Sequence, residues 1–339
     1  MNTGFRWDRI TDGQLLDHRL CDLPLRIEGT VLERRVQRLY DELESRAIRF
    51  RPHVWLSHEW FAPDGVPGFA IPFYLAHPRL VKLERQQMLE VEGGTEKECM
   101  RILRHEAGHA LDTAFRLHFK QCWRDLFGSY AQPYPDSYKP KPNSRNYVLH
   151  LNAWYAQAHP AEDFAETFAV WLNPGSHWRR RYQNWPALRK LEYIDQLMGE
   201  VAGMTPKKKL RIKVEPLSRL KQTLLQHYRI KRQYYATEWP AFYDKDLRRI
   251  FSQEPEQAVH PTASGFLRRI RAELRHAVAA GTGVHHYTVD HVLKNMIERC
   301  KDLKLRVAIP ENQAKEQAII MLTVQTMNVV QSGYHRVAV

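Results

Sequence analysis

Residues 95–118 read Thr95-Glu96-Lys97-Glu98-Cys99-Met100-Arg101-Ile102-Leu103-Arg104-His105-Glu106-Ala107-Gly108-His109-Ala110-Leu111-Asp112-Thr113-Ala114-Phe115-Arg116-Leu117-His118. Thr95 followed by Glu98 has capping-box spacing, and the uninterrupted pattern behind it predicts one long helix to about His118. In its middle, His105-Glu106-Ala107-Gly108-His109 forms an HExxH motif. Residues four apart on a helix share a face one turn apart, so both imidazoles can reach a single metal ion. Neutral imidazole is a good zinc ligand, and Glu106 projects beside that face, where a carboxylate can take a proton from water. The motif also arises by chance, as a His pair on a helix surface. Its position inside an amphipathic helix favours the metal reading.

A catalytic zinc ion needs a third protein ligand and a fourth position left for water. The stretch Pro160-Ala161-Glu162-Asp163-Phe164-Ala165-Glu166-Thr167-Phe168 supplies candidates. Proline suits a first helical turn, so a helix should start near Pro160 and continue to about Leu172, where Asn173-Pro174-Gly175 stops it. Glu162 and Glu166 then share one face, while Phe164, Phe168 and Trp171 point into a core. One carboxylate can bind metal and the other can hold a ligand imidazole by a hydrogen bond. The alternative is a solvated acidic face. So many apolar neighbours argue against it, because they imply burial, where unpaired carboxylates are costly.

Two motifs in this order resemble those of the gluzincin metallopeptidases, most closely the anthrax lethal factor catalytic domain and its relatives. The form HExGHAxD is present at 105–112, and the form ExFAExF is similar to 162–168. Tyr155 stands seven residues before Glu162, as a tyrosine does in that family. The resemblance extends to bacterial chains described as zinc-binding metallopeptidases and covers roughly residues 50–175. It implies a zincin-like core in which His105, His109 and Glu162 bind one zinc ion per chain. Glu106 would then be general base and proton shuttle, Tyr155 an oxyanion donor, and Glu166 the group that orients a ligand histidine. Asp112, three positions after His109, is expected to act as a structural hydrogen-bonder rather than a fourth ligand. An aromatic packing role for Tyr155 beside Trp154 stays open.

Outside these helices the reading is coarser. Residues 30–50 are patterned as an amphipathic helix, and Val54-Trp55-Leu56 and Phe69 to Tyr74 as strands. The second strand could form a cleft rim that pairs with an extended substrate, or be an ordinary core strand. Residues 129–146 are rich in Pro, Tyr, Ser and Lys and read as a long loop, of the kind that often faces substrate. Beyond 206 the pattern is helical over about 216–235, 239–252, 265–279, 288–303 and 311–330. The expected fold class is therefore α+β: a zincin-like metallopeptidase core with a small mixed sheet in residues 1–205, and a mainly helical lobe in 206–339.

Charge divides the chain at the same point. Residues 1–205 hold 27 Lys/Arg against 26 Asp/Glu, and residues 206–339 hold 24 against 12. The basic half would attract an acidic substrate or partner, and its Tyr228–Tyr235 stretch with Arg229, Lys231 and Arg232 also suits nucleic acid. Four scattered cysteines without a CxxC pair argue against a disulfide framework. No apolar run approaches the roughly 18 residues that span a bilayer, and Met1 to Ile10 lacks the apolar stretch of a secretion signal. A cytoplasmic protein is expected. Among other histidines, His58 beside Glu59 is expected to be structural or exposed. His150 and His159 flank Tyr155 and either line the cleft or sit on the surface, and His285, His286 and His291 could at most form a second metal site. The leading expectation is a zinc metallopeptidase cutting a peptide or related amide. The alternative is a nucleic-acid-associated binding protein with a structural zinc site.

Overall fold

The computed structural model describes residue 7, residues 10–135, 138, 140–235 and 244–331. Its helices are α1 (Asp12–Leu16), α2 (Val31–Ser45), α3 (Pro78–Met88), α4 (Glu96–Phe115), α5 (Gln121–Phe127), α6 (Pro160–Leu172) and α7 (Trp178–Arg181). They continue as α8 (Ala187–Val201), α9 (Leu224–Tyr235), α10 (Asp244–Ile250), α11 (Ala263–Arg269), α12 (Arg271–Thr282), α13 (His286–Asp302) and α14 (Glu311–Gln331). Strands β1 (His53–Ser57) and β2 (Gly68–Pro72) complete the set. The chain divides into two compact units, Met1–Gln87 with Val91–Tyr228, and Met88–Glu90 with Arg229–Ala338.

In the first unit the local sequence signals act as expected. Thr95 and Glu98 close a reciprocal capping box, with Thr95 Oγ1 accepting from Glu98 N at 3.2 Å and Thr95 N donating to Glu98 Oε2 at 3.3 Å. The helix ends earlier than its pattern suggests. Arg116 adopts a left-handed conformation (φ 57°), and a 3₁₀ turn over Leu117–Phe119 follows, because apolar spacing does not register a backbone reversal. Helix α6 starts with Pro160 in its first turn, as expected, and all thirteen of its residues are buried.

Helices α4 and α6 are in close contact at Gly108. A methyl group built on that glycine would lie 3.0 Å from Ala165 Cα and 3.2 Å from Phe168 Cδ1. Small residues on both sides therefore let the two backbones approach. Charge pairs hold the flanks. Arg104 of α4 donates to both oxygens of Glu42 on α2, at 2.6 and 2.7 Å, with both side chains buried. Lys190 of α8 donates to Asp163 Oδ2 of α6 at 2.5 Å. Behind α6 an aromatic group of Trp123, Phe127 and Phe164 packs with ring centroids 5.2–5.8 Å apart.

The sheet is smaller than a mixed sheet: among the described residues it is a parallel pair, with His53 opposite Gly68 through Ser57 opposite Pro72. The other side of β2 carries an antiparallel bridge, in which Ala70 N donates to Phe61 O at 2.8 Å. β2 is buried along its whole length, and its last expected residues, Phe73 and Tyr74, turn into a 3₁₀ helix. That favours the core-strand reading over the substrate-pairing edge. Trp55 Nε1 and Ser57 Oγ of β1 donate to the carbonyls of Val214 and Glu215 at 2.8 and 2.7 Å.

The second unit is helical among its described residues, built on a core that includes Leu247, Phe266, Leu274, Leu293, Met296 and Leu322. The stretch expected as one helix over 265–279 is two, broken at Ile270. The stretch expected over 216–235 opens as a 3₁₀ turn, Leu217–Arg219, before α9 begins. Of the helix expected over 239–252, residues 239–243 lie outside the described residues. All four cysteines are free thiols, two of them buried. No described helix is long and apolar enough to cross a membrane.

Two expectations follow from this packing. Gly108→Val forces side-chain atoms against Ala165 and Phe168, and overpacking of this kind typically costs about 1–3 kcal/mol. Chemical denaturation should show that loss, and wild-type stability would refute the close approach. The second concerns His150, whose Nε2 donates to the Arg101 carbonyl of α4 at 3.0 Å. Desolvation lowers its pKa to about 4, so the fold holds it neutral. The unfolded chain protonates it near pH 6.5, and its stabilising contribution, complete above that pH, erodes as pH falls toward 4. In His150→Gln, which can keep the hydrogen bond, the loss of stability between pH 7 and pH 4.5 should shrink by on the order of 1–3 kcal/mol. Equal losses in both proteins would refute it.

Candidate metal centre

His105 and His109 stand four positions apart on α4, one helical turn, and the first turn of α6 presents Glu162 to both. His105 Nε2 lies 3.0 Å from Glu162 Oε2, His109 Nε2 lies 3.2 Å from the same oxygen, and the two Nε2 atoms are 3.1 Å apart. A tetrahedral ion at 2.0–2.1 Å from each ligand would need ligand atoms about 3.3–3.4 Å apart, so the triangle is close to the size zinc requires. Among the described residues this is the group of His, Cys, Asp and Glu side chains able to hold a metal ion.

The hydrogen bonding gives an independent test of fit. His105 Nδ1 faces Glu166 Oε1 at 2.9 Å, a contact that needs the proton on Nδ1. In neutral His105 the Nε2 lone pair then points at Glu162 Oε2, itself an acceptor. Buried acceptors converging this way need a shared cation. Without an ion the histidines must carry that charge. His105 is held well above its ordinary pKa: burial opposes protonation but is outweighed by its hydrogen bonds to Glu162 and Glu166. Glu162 lies well below the carboxylate range. Burial again opposes the charge, and the His109 charge with hydrogen bonds from both histidines overcomes it.

Glu166 uses its second oxygen as well, since Oε2 accepts from Leu151 N at 2.8 Å. It therefore holds the His105 ring and anchors the segment leading to Tyr155. Glu106 is buried, and its Oε2 has no hydrogen-bond partner among the described residues. Burial raises its pKa, and the neighbouring His105 and His109 charges only partly offset this. Tyr155 lies on a 3₁₀ segment, Asn152–Gln157, with its ring centroid 5.6 Å from that of His105. Burial, with Glu162 and Glu106 nearby, pushes its pKa well above the ordinary value and keeps it a proton donor. Trp154 before it has a φ of 54°, a left-handed conformation that costs a non-glycine residue on the order of 1 kcal/mol.

Asp112 is not one of the three candidate ligands. Its Oδ2 accepts from His118 Nδ1 at 2.5 Å. His159 does not line the site. Its Nδ1 caps α6 by accepting from Ala161 N at 3.1 Å, so Nε2 carries the proton and donates to Gln132 O at 2.9 Å. His58 approaches Glu215 only at 3.8 Å. His285 caps α13, accepting from Tyr287 N at 3.0 Å, and stacks on Tyr235. No second metal group forms among the described residues.

One residue at the site was not singled out by the sequence. Tyr134, from the long loop, donates its hydroxyl to Glu162 Oε1 at 2.8 Å and stacks on His159 with centroids 3.9 Å apart. Only the tyrosine content of residues 129–146 hinted at it.

No curated protein and no solved structure matches the chain. Residues 82–176, which run from α3 through α6 and include both histidines and Glu162, match a family described as "putative zinc-binding metallo-peptidase". This match supports a metallopeptidase family and a zinc cofactor for the centre built by α4 and α6.

Proposed function

We propose that the chain is a gluzincin-type zinc metallopeptidase, with catalysis in residues 1–205 and one zinc ion held by His105, His109 and Glu162. The observation that carries this reading is the convergence of three acceptor atoms, from buried His105 and Glu162 and half-buried His109, within 3.0–3.2 Å, beside a buried carboxylate whose Oε2 is unpartnered among the described residues. Three protein ligands rather than four favour a catalytic over a structural ion.

When bound, zinc supplies a Lewis acid for the scissile carbonyl and lowers the pKa of water toward neutrality. Glu106 accepts the proton of the attacking water as its oxygen adds to the carbonyl carbon. It then passes that proton to the amine nitrogen as the C–N bond breaks. Burial keeps its basicity above that of a solvated carboxylate, which suits both transfers. Tyr155, protonated at neutral pH, donates a hydrogen bond to the oxygen that gains charge. Glu166 holds the His105 ring through Nδ1, leaving Nε2 as the ligand atom.

The test is metal content by plasma mass spectrometry together with cleavage of a mixed peptide library. Wild type should carry about one zinc per chain and cleave peptides. Glu106→Gln should keep the metal and lose activity by about two to four orders of magnitude. Glu162→Ala should lose metal affinity. A wild-type chain that takes up no zinc after it is added back would sink the proposal.

A further inference from the structure

Glu162 has two oxygens with different surroundings. Oε2 faces both imidazoles, at 3.0 and 3.2 Å, whereas Oε1 receives the Tyr134 hydroxyl at 2.8 Å. The terminal torsion of a glutamate is broad and roughly two-fold. Without a second restraint, either oxygen or both could turn toward the ligand triangle. The phenol fixes the carboxylate plane.

Tyr134 is itself held from α6. His159 is locked on both sides, by Ala161 N on Nδ1 and by Gln132 O on Nε2, at 3.1 and 2.9 Å. Its ring forms the platform on which Tyr134 stacks, 3.9 Å away and inclined by 16°. The loop is thus pinned two residues before Tyr134 to the end of α6 that bears Glu162. The same logic governs His105, since Glu166 on its Nδ1 fixes which nitrogen faces the triangle.

Resting on the zinc reading above, we infer that Tyr134 is a positioning residue that holds Glu162 as a one-oxygen ligand. A monodentate carboxylate keeps the ligand number low, as zinc prefers, whereas calcium takes six to eight oxygens and often a bidentate carboxylate. Tyr134 therefore acts on metal affinity and ligand geometry through Glu162.

Tyr134→Phe keeps the ring on His159 and removes only the donor. Tyr130→Phe serves as the control, because its hydroxyl in the same loop donates to Asp64 Oδ1 at 2.7 Å and not to Glu162. Zinc affinity of the full chain is measured by competition with a chelator, and the cobalt-substituted proteins are compared by visible absorption. Tyr134→Phe should bind zinc about 10–100-fold more weakly, as loss of a group that orients a ligand usually does. Its cobalt absorption should fall in intensity as Glu162 turns both oxygens to the ion, while the metal-free protein unfolds near the wild-type midpoint. Tyr130→Phe should retain wild-type affinity. Equal zinc affinity and an unchanged cobalt spectrum in Tyr134→Phe would overturn the inference, as would an equal loss in both variants. Failure of wild type to bind zinc would instead remove the metal reading itself.

Discussion

Everything at this site depends on how closely α4 approaches α6. Gly108 meets Ala165 with no room for a side chain between them, so the two helix backbones almost touch beside His109 and within one turn of Glu162. That approach lets Glu162, on the first turn of α6, reach two imidazoles that α4 alone can only align. A larger residue at either position would push the helices apart, and the three candidate ligand atoms would no longer converge. The buried Arg104–Glu42 pair and the Lys190–Asp163 pair hold the same two helices from α2 and α8. They fix orientation where the small-residue contact fixes distance.

The arrangement is electrostatically demanding. Glu106, Asp112, Glu162, Asp163 and Glu166 are all buried, and ionised carboxylates in such surroundings are costly unless paired. The protein answers with partners of different strength. Lys190 lies against Asp163, yet burial, opposed by that lysine, still raises the Asp163 pKa to about 7. His118 serves Asp112, and Leu151 N together with His105 serves Glu166. Glu162 has both imidazoles and the Tyr134 hydroxyl as partners, so under the zinc reading proposed above metal binding and the stability of α4 against α6 would be coupled.

The elements along single helices were largely legible. Thr95 and Glu98 marked the start of α4, and Pro160 and Asn173 bounded α6. The His105–His109 and Glu162–Glu166 spacings gave the faces on which ligands could stand. Errors fell where the backbone changes direction without a change of hydrophobicity: Arg116 in a left-handed turn, Ile270 between α11 and α12, and Phe73 leaving β2 for a 3₁₀ turn. The helical pattern of the second unit was recognisable, but it did not say where one helix stops and the next begins.

By itself the sequence determined the chemistry on offer: two imidazoles and a carboxylate on one helix, two carboxylates on another, and caps that start both. Those are relations between residues three or four apart, fixed by the geometry of the α-helix. Tertiary structure alone decided which atoms meet. His109 and Glu162 are 53 residues apart, and His105 and Glu166 are 61. Tyr134 reaches Glu162 across 28 residues, from a loop with no periodicity. The choice of Oε2 over Oε1, the proton on His105 Nδ1 and the seating of His159 Nε2 on the Gln132 carbonyl follow from packing and hydrogen-bond satisfaction at close quarters. No local pattern encodes them, because each depends on a partner that only the folded chain brings within 3 Å or so.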